Sequence, residues 1–230
     1  MKKFIFIMLS LLFFIDNSFS QQKFQWARVR FLGTGIGVGG QKDSSVSLLN
    51  ADLHFLDELE KNTTIKVEKK VYEPTLEKLD EITKFPILFM HAETPVKFLD
   101  IEIKNMREYC LRGGFIFADD CVLEKKGDLF FKSFKETVET RVFPDKKFKK
   151  IDISDPIFHC HFDLPQGLPY VQGVPNGAWG LYDDKGRIMI FACSTDLHCG
   201  WYKDENWFED RKRKEAYQMG INIVIYALTH

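Results

Sequence analysis

Two short runs of unbroken apolar residues constrain this chain more than any other feature. Residues 85–91 read FPILFMH and residues 115–118 read FIFA. A strand with one face in water alternates apolar and polar side chains. A strand that is apolar throughout must be covered on both faces, as the central strands of a parallel sheet are. The segments around these two runs change kind in order. Residues 24–31 read as a strand, and 46–59 as a helix with Val46, Leu49, Leu53, Leu56 and Leu59 at three-to-four spacing, capped by Asp43 or Ser44. Residues 65–72 read as a second strand, and Pro74 opens a short helix carrying Leu76, Leu79 and Ile82. Ile103, Met106 and Cys110 stripe the next helix, which stops at Gly113 and Gly114. A helix over 128–141, a strand near 148–153 and an irregular stretch over 155–178 follow. Residues 179–182 and 187–193 flank Asp183-Asp184-Lys185-Gly186 as a hairpin, and a helix over 211–228 closes the chain. This order predicts an α/β three-layer sandwich: a mostly parallel central sheet, helices on both faces and an antiparallel hairpin at one edge.

The first twenty residues stand apart from that pattern. Lys2 and Lys3 precede an apolar run over 4–15, and Ser18-Phe19-Ser20 follows it. A basic start, a short apolar core and small residues predict a signal peptide cleaved before Gln21, with export to a periplasm or beyond the cell. Residues 21–230 then form a single domain, with no transmembrane span after cleavage. Of 32 basic and 33 acidic residues the leader holds Lys2, Lys3 and Asp16, which leaves 30 and 32. A near-neutral chain lacks the basic footprint that nucleic acid requires. The 22 phenylalanines are enough for a substantial core. Five cysteines, Cys110, Cys121, Cys160, Cys193 and Cys199, leave at least one unpaired or intermolecular, and none has C-x-x-C spacing.

Several ordered motifs are distinctive: 111–121 (LRGGFIFADDC), 85–91, 155–163 (DPIFHCHFD), 195–201 (TDLHCGW) and the closing GINIVIYALT. Together they resemble a widespread bacterial family of exported proteins of unknown function. Its members are similar in fold to class I glutamine amidotransferases, a flavodoxin-like sheet between helices. The resemblance implies that scaffold, and work beside other envelope components with a protein or glycan partner. It does not imply glutamine hydrolysis. Where those enzymes carry a nucleophile cysteine on a G-x-C-x-G turn, this chain has Ala118-Asp119-Asp120-Cys121. Asp196 and His198 are only a loose counterpart of their His-x-Glu pair.

Candidate site residues gather where strands end. Gly35, Gly37 and Gly40 formally match a dinucleotide fingerprint, but in a run with glycine at every second position they read better as a flexible loop that clasps a ligand. No cofactor is expected, since the glycine match is weak and its spacing to a ribose-binding acid is unconvincing, and no metal set, since no spacing matches a metal-ligand signature. Asp119 and Asp120 follow a buried strand, where open α/β sheets bind ligands. They can hold a cation, act as an acid, or cap the next turn. His91 and His198 should reach the same edge, for acid–base work, for metal binding, or as hydrogen-bonded structural groups. His159 and His161 with Asp163 could form a zinc pair, although His159 reads better as a packing or hydrogen-bonding residue of its loop. Cys121 and Cys199 are candidates for a disulfide, for inert thiols, or for a nucleophile activated by His198. Trp201, with Trp179, Trp207 and Phe208, could form an aromatic wall for a sugar ring or a protein. The leading expectation is a non-catalytic binding or assembly domain. The alternative is a hydrolase using Asp119, Asp120 and His198, with or without a divalent metal.

Overall fold

The structure, a computed structural model, describes residues 22–31, 46–121, 127–203 and 208–230. The expected leader, the proposed caps Asp43 and Ser44, the glycines Gly35, Gly37 and Gly40, and Trp207 lie outside the described residues. In chain order the elements are β1 (Phe24–Arg28), α1 (Val46–Asn62), β2 (Val67–Tyr72), α2 (Leu79–Ile82), β3 (Ile87–Ala92), α3 (Asp100–Leu111), β4 (Phe115–Asp120), α4 (Leu129–Thr137), β5 (Lys149–Lys150), β6 (Trp179–Tyr182), β7 (Ile188–Cys193) and α5 (Asp210–Thr229). The strands form one sheet in the order β2-β1-β3-β4-β7-β6-β5. The pairings from β2 through to β7 are parallel, and β6 runs antiparallel to both β7 and β5. The expected α/β architecture with an antiparallel edge hairpin is therefore present.

Register explains why the central strands are apolar at every position. Leu88 pairs with Ile116 and Ile116 with Ile190, while Phe89 pairs with Phe117 and Phe117 with Phe191. Side chains alternate across a strand, so each row belongs to one face. Trp26, Phe89, Phe117 and Phe191 pack with Phe55 of α1, Met219 and Ile223 of α5, and Trp201. Ala27, Leu88, Ile116 and Ile190 pack on the other face with Met106 of α3 and with Phe130 and Phe134 of α4. One face is aromatic and lies beneath α1 and α5. The other is built of smaller residues beneath α3 and α4.

Three local expectations change. The helix opened by Pro74 shrinks to Leu79–Ile82, because Arg30 N donates to the Pro74 carbonyl and Leu76 N to the Arg30 carbonyl, both at 2.8 Å. Those bonds hold residues 74–76 extended beside the continuation of β1. The strand near 148–153 reduces to Lys149–Lys150, with Ile151 N still bonded to the Ala178 carbonyl. The helix over 128–141 passes after Thr137 into a π-helical turn, Val138–Val142. Among the described residues, no helix is long and apolar enough to cross a membrane.

Because α1 carries the chain outward from β1 to β2, while β3 lies on the other side of β1, the topology reverses between β1 and β3. The carboxyl ends of strands at such a switch form the crevice where ligands bind in open α/β sheets.

Candidate functional site

Alternation selects the residues that arrive there. Arg28 lies two positions after Trp26, His91 two after Phe89, Asp119 two after Phe117 and Cys193 two after Phe191. All four therefore continue the aromatic face toward its carboxyl edge. His91 pairs in register with Asp119, and Asp119 with Cys193. All four, with Asp52, Asp196 and His198, are buried.

A single ion pair organises one side of this cluster. Arg28 Nε donates to Asp52 Oδ2 at 2.7 Å and Nη2 to Asp52 Oδ1 at 2.9 Å. Burial alone would raise the Asp52 carboxyl, but the Arg28 guanidinium beside it overcomes that and holds it at about 2. Arg28 Nη2 also lies 2.6 Å from His198 Nε2, and Nη1 lies 3.5 Å from His91 Nδ1. A guanidinium only donates, so Nε2 of His198 is the accepting nitrogen. Burial, together with the Arg28 and His91 charges, lowers the His198 imidazole to about 3, which keeps it neutral. Its Nδ1 is buried with no hydrogen-bond partner.

Asp119 and Asp120 are neighbours in sequence but face opposite sides of the sheet. Asp119 Oδ2 accepts from His198 N at 2.9 Å, and Oδ1 from the Cys193 thiol at 3.2 Å. Asp120 Oδ2 accepts from Phe131 N at 2.7 Å, on the α4 side. Asp120 therefore caps the first turn of a helix some ten residues further on, while its Oδ1 is buried with no partner. Burial raises both carboxyls to about 7. Asp196 adds to the shift at Asp119, and Asp119 adds to it at Asp120.

On the far side of His91 stand Cys121, Asp196 and Cys199. Asp196 is the one non-glycine residue of the described chain in the left-handed region, at φ 53°. That backbone turn aims its carboxylate into the cluster, where Oδ2 accepts from Gln172 Nε2 at 2.6 Å and Oδ1 from Cys199 N at 3.3 Å. Its Oδ1 lies 3.9 Å from His91 Nε2, longer than a hydrogen bond, and Nε2 has no hydrogen-bond partner. Burial opposes charge on His91, but Cys121 and Asp196 raise the imidazole to about 10. Burial likewise works against the Asp196 carboxylate, which His91 nonetheless holds below its ordinary value. Contact with the Cys199 thiol, and His91 beside it, lower the Cys121 thiol, while that same contact and burial push Cys199 well up. All five cysteines are free thiols.

The structure thus brings His91, Asp119, Cys121, His198 and Cys199 to one edge, and turns Asp120 away from them. It does not pair the two loop histidines. His159 uses Nδ1 on Asp163 Oδ1 at 2.6 Å and Nε2 on the Ile153 carbonyl at 2.7 Å, whereas His161 Nε2 lies 2.9 Å from the Asn62 carbonyl. Trp201 is fully buried, stacked on Phe55 at 4.2 Å with its Nε1 donating to the Ala216 carbonyl. Trp179 packs on the opposite face against Phe131 and the Lys135 ammonium. The two tryptophans therefore do not share a wall.

Sequence reading passed over Arg28, Asp52 and Gln172. A usable signal existed for the first two. Arg28 is in phase with Trp26 in an otherwise buried strand, and Asp52 shares the helical stripe of Phe55, Leu56 and Leu59. A charge at an inward position needs a partner, and two such positions imply each other. Gln172, in an irregular stretch, gives no such signal.

The family model for the domain of unknown function DUF4159 matches residues 31–228. No curated protein matches the sequence.

Proposed function

The chain belongs to the DUF4159 family, whose function is unknown, and we propose that it serves as an exported, non-catalytic binding or assembly domain of the cell envelope. In this reading its partner is a protein or a glycan, and its scaffold is amidotransferase-like without the nucleophile elbow. One observation carries the proposal: Asp119, which the amidotransferase resemblance sets at about the nucleophile's position, is a buried acceptor with both oxygens already engaged by His198 N and the Cys193 thiol. Around it β4 stays extended and in register with β3 and β7. An elbow instead needs a sharp, strained turn that exposes its nucleophile. The competing hydrolase reading needs Asp119, Asp120 and His198 to act together. Asp120 faces the α4 side, and the His198 ring is committed to Arg28.

Two measurements test the proposal. Ammonia release from glutamine should stay at the buffer background at every protein concentration. A saturable rate abolished by Cys121→Ala would restore the enzyme reading. Protein recovered from the envelope fraction of the native host should begin at Gln21, whereas intact Met1 in soluble cytosol would overturn export.

A further inference from the structure

We propose that His91, Cys121, Asp196 and Cys199 form a metal site for a zinc-class divalent ion, closed by four protein ligands and structural in role. One ligand atom each from His91, Cys121 and Asp196 lie within 4.8 Å of one another, and all three residues are buried. The Cys199 thiol lies beside both Cys121 and the Asp196 side chain but outside that 4.8 Å set, so it must turn inward to serve as the fourth donor. At zinc–ligand lengths of ~2.0–2.3 Å, tetrahedral donors stand roughly 3.6 Å apart, so the three donors draw together by roughly an ångström and the Cys199 thiol swings in to complete the shell.

Two independent features point to an ion rather than to simple packing. His91 Nε2 is buried, faces the Asp196 carboxylate at 3.9 Å, and has no hydrogen-bond partner. Burying a polar nitrogen unpaired is unfavourable, and a metal bond removes that cost. Asp196 adopts left-handed backbone to face the same point, and Gln172 Nε2 fixes its outer oxygen at 2.6 Å. A ligating carboxylate ordinarily has an outer partner of this kind.

The arrangement does not suit a thiol–imidazole–acid relay. A relay places the acid on one ring nitrogen and the thiol on the other. Here Nδ1 faces the Arg28 guanidinium at 3.5 Å, and the acid is on the Nε2 side. Metal on Nε2 puts the ring proton on Nδ1, which a guanidinium cannot accept, so the 3.5 Å contact must open on loading while Asp52 and His198 keep the rest of the guanidinium in place. Two thiolates, an imidazole and one carboxylate favour zinc, or cobalt in its place, over magnesium or calcium. Four protein ligands leave no open position, so the ion would tie the ends of β3 and β4 to the turn after β7 rather than activate water. The inference does not depend on the binding-domain reading. The donors lie at positions 91, 121, 196 and 199, a spacing that no linear motif encodes.

The test uses the full-length protein, reduced, stripped with a chelator and titrated with cobalt(II). We expect one equivalent to bind with thiolate-to-cobalt charge transfer and the strong visible bands of tetrahedral cobalt, and zinc to displace it. Cys121→Ser and Cys199→Ser should each remove about half of the charge-transfer intensity, with folding followed by near-ultraviolet circular dichroism. Gln172→Ala leaves every ligand in place and should weaken cobalt affinity roughly 10- to 100-fold while keeping the spectrum. It therefore serves even where a cysteine variant fails to fold. Folded wild-type protein that binds no cobalt, or binds it without thiolate charge transfer, overturns the proposal. So does an affinity unchanged by Gln172→Ala.

Discussion

Arg28 and Asp52 form a two-pronged ion pair, Nε to Oδ2 at 2.7 Å and Nη2 to Oδ1 at 2.9 Å, that fastens the end of β1 to α1 out of reach of water. Removing both charges from water costs about as much as their attraction returns, so the intact pair is not strong evidence of stability. Its weight lies in arrangement. The same guanidinium donates to His198 and approaches His91, so one helix residue sets the orientation of three side chains at the switch between β1 and β3.

Breaking the pair should be expensive. Asp52→Asn strands a buried guanidinium, and urea unfolding near neutral pH should show a loss of about 3–5 kcal/mol. The pH dependence follows from the same contact. The folded Asp52 carboxyl titrates at about 2, against 3.8 ordinarily, so between those values the unfolded chain binds more protons. Its contribution is fully present above pH ~4 and is lost as the pH falls toward ~2, on the order of 2 kcal/mol at 1.36 kcal/mol per unit. The variant, already without that contribution, should show a flatter acid limb. Parallel acid limbs for the two proteins would contradict the assignment.

Gly220 offers a prediction with an unusual sign. Glycine inside a long helix is ordinarily worse than alanine by about 1 kcal/mol, so Gly→Ala tends to stabilise. In α5, a Cβ at residue 220 would stand 2.7 Å from Phe55 Cε2 and 2.8 Å from Trp201 Cζ2, against the two rings stacked at 4.2 Å. Overpacking of a tight core costs typically 1–3 kcal/mol, which outweighs the helical gain. Gly220→Ala should therefore lower the melting temperature, and a raised one would show that α5 does not press on that stack.

Much of the architecture was legible because burial on both faces leaves a continuous apolar mark, as at 85–91 and 115–118. The site was legible only in part. His91, Asp119, Cys121 and His198 could be placed at strand ends, since chain order alone carries them to one edge. Which groups meet was not legible. Adjacency in sequence suggested that Asp119 and Asp120 act together, yet the pleat sends neighbours to opposite faces. Arg28, in phase with Trp26, marks a buried charge in the sequence, but which group meets it is not legible until Asp52 on α1 is set beside it. Trp201 follows a glycine and looks like a surface aromatic. In the fold, a Cβ on Gly200 would meet Ala216 at 2.6 Å, and that close approach to α5 accompanies an indole turned into the core.

The two aspartates of β4 should separate cleanly under substitution. Asp120→Asn keeps an acceptor for Phe131 N and should change stability little. Asp120→Ala removes the cap and should cost about 1 kcal/mol. Asp119→Ala leaves the buried His198 N–H without its acceptor, so a loss of about 1–3 kcal/mol is expected. Thermal melting of the three variants decides the matter. Equal effects of Asn and Ala at position 120 would remove the capping role.

The last prediction concerns the thiols of Cys121 and Cys199, which are in contact as free groups. In an oxidising compartment two thiols this close are candidates for a disulfide, and a bound metal and a disulfide exclude each other. Stripped protein exposed to oxidised glutathione should therefore yield a linked Cys121–Cys199 peptide on non-reducing mapping. The balance is two thiols giving up two electrons and two protons to the glutathione disulfide. Cys110 and Cys193 should stay free, because burial pushes Cys110 up to about 12 and Cys193 well above its ordinary value, which leaves almost no thiolate to attack. Zinc added before the oxidant should suppress the linkage. Linkage at the same rate with and without zinc would mean that the ion does not reach these sulfurs, while thiols that stay free in both samples would show that the pair cannot meet the geometry of a disulfide.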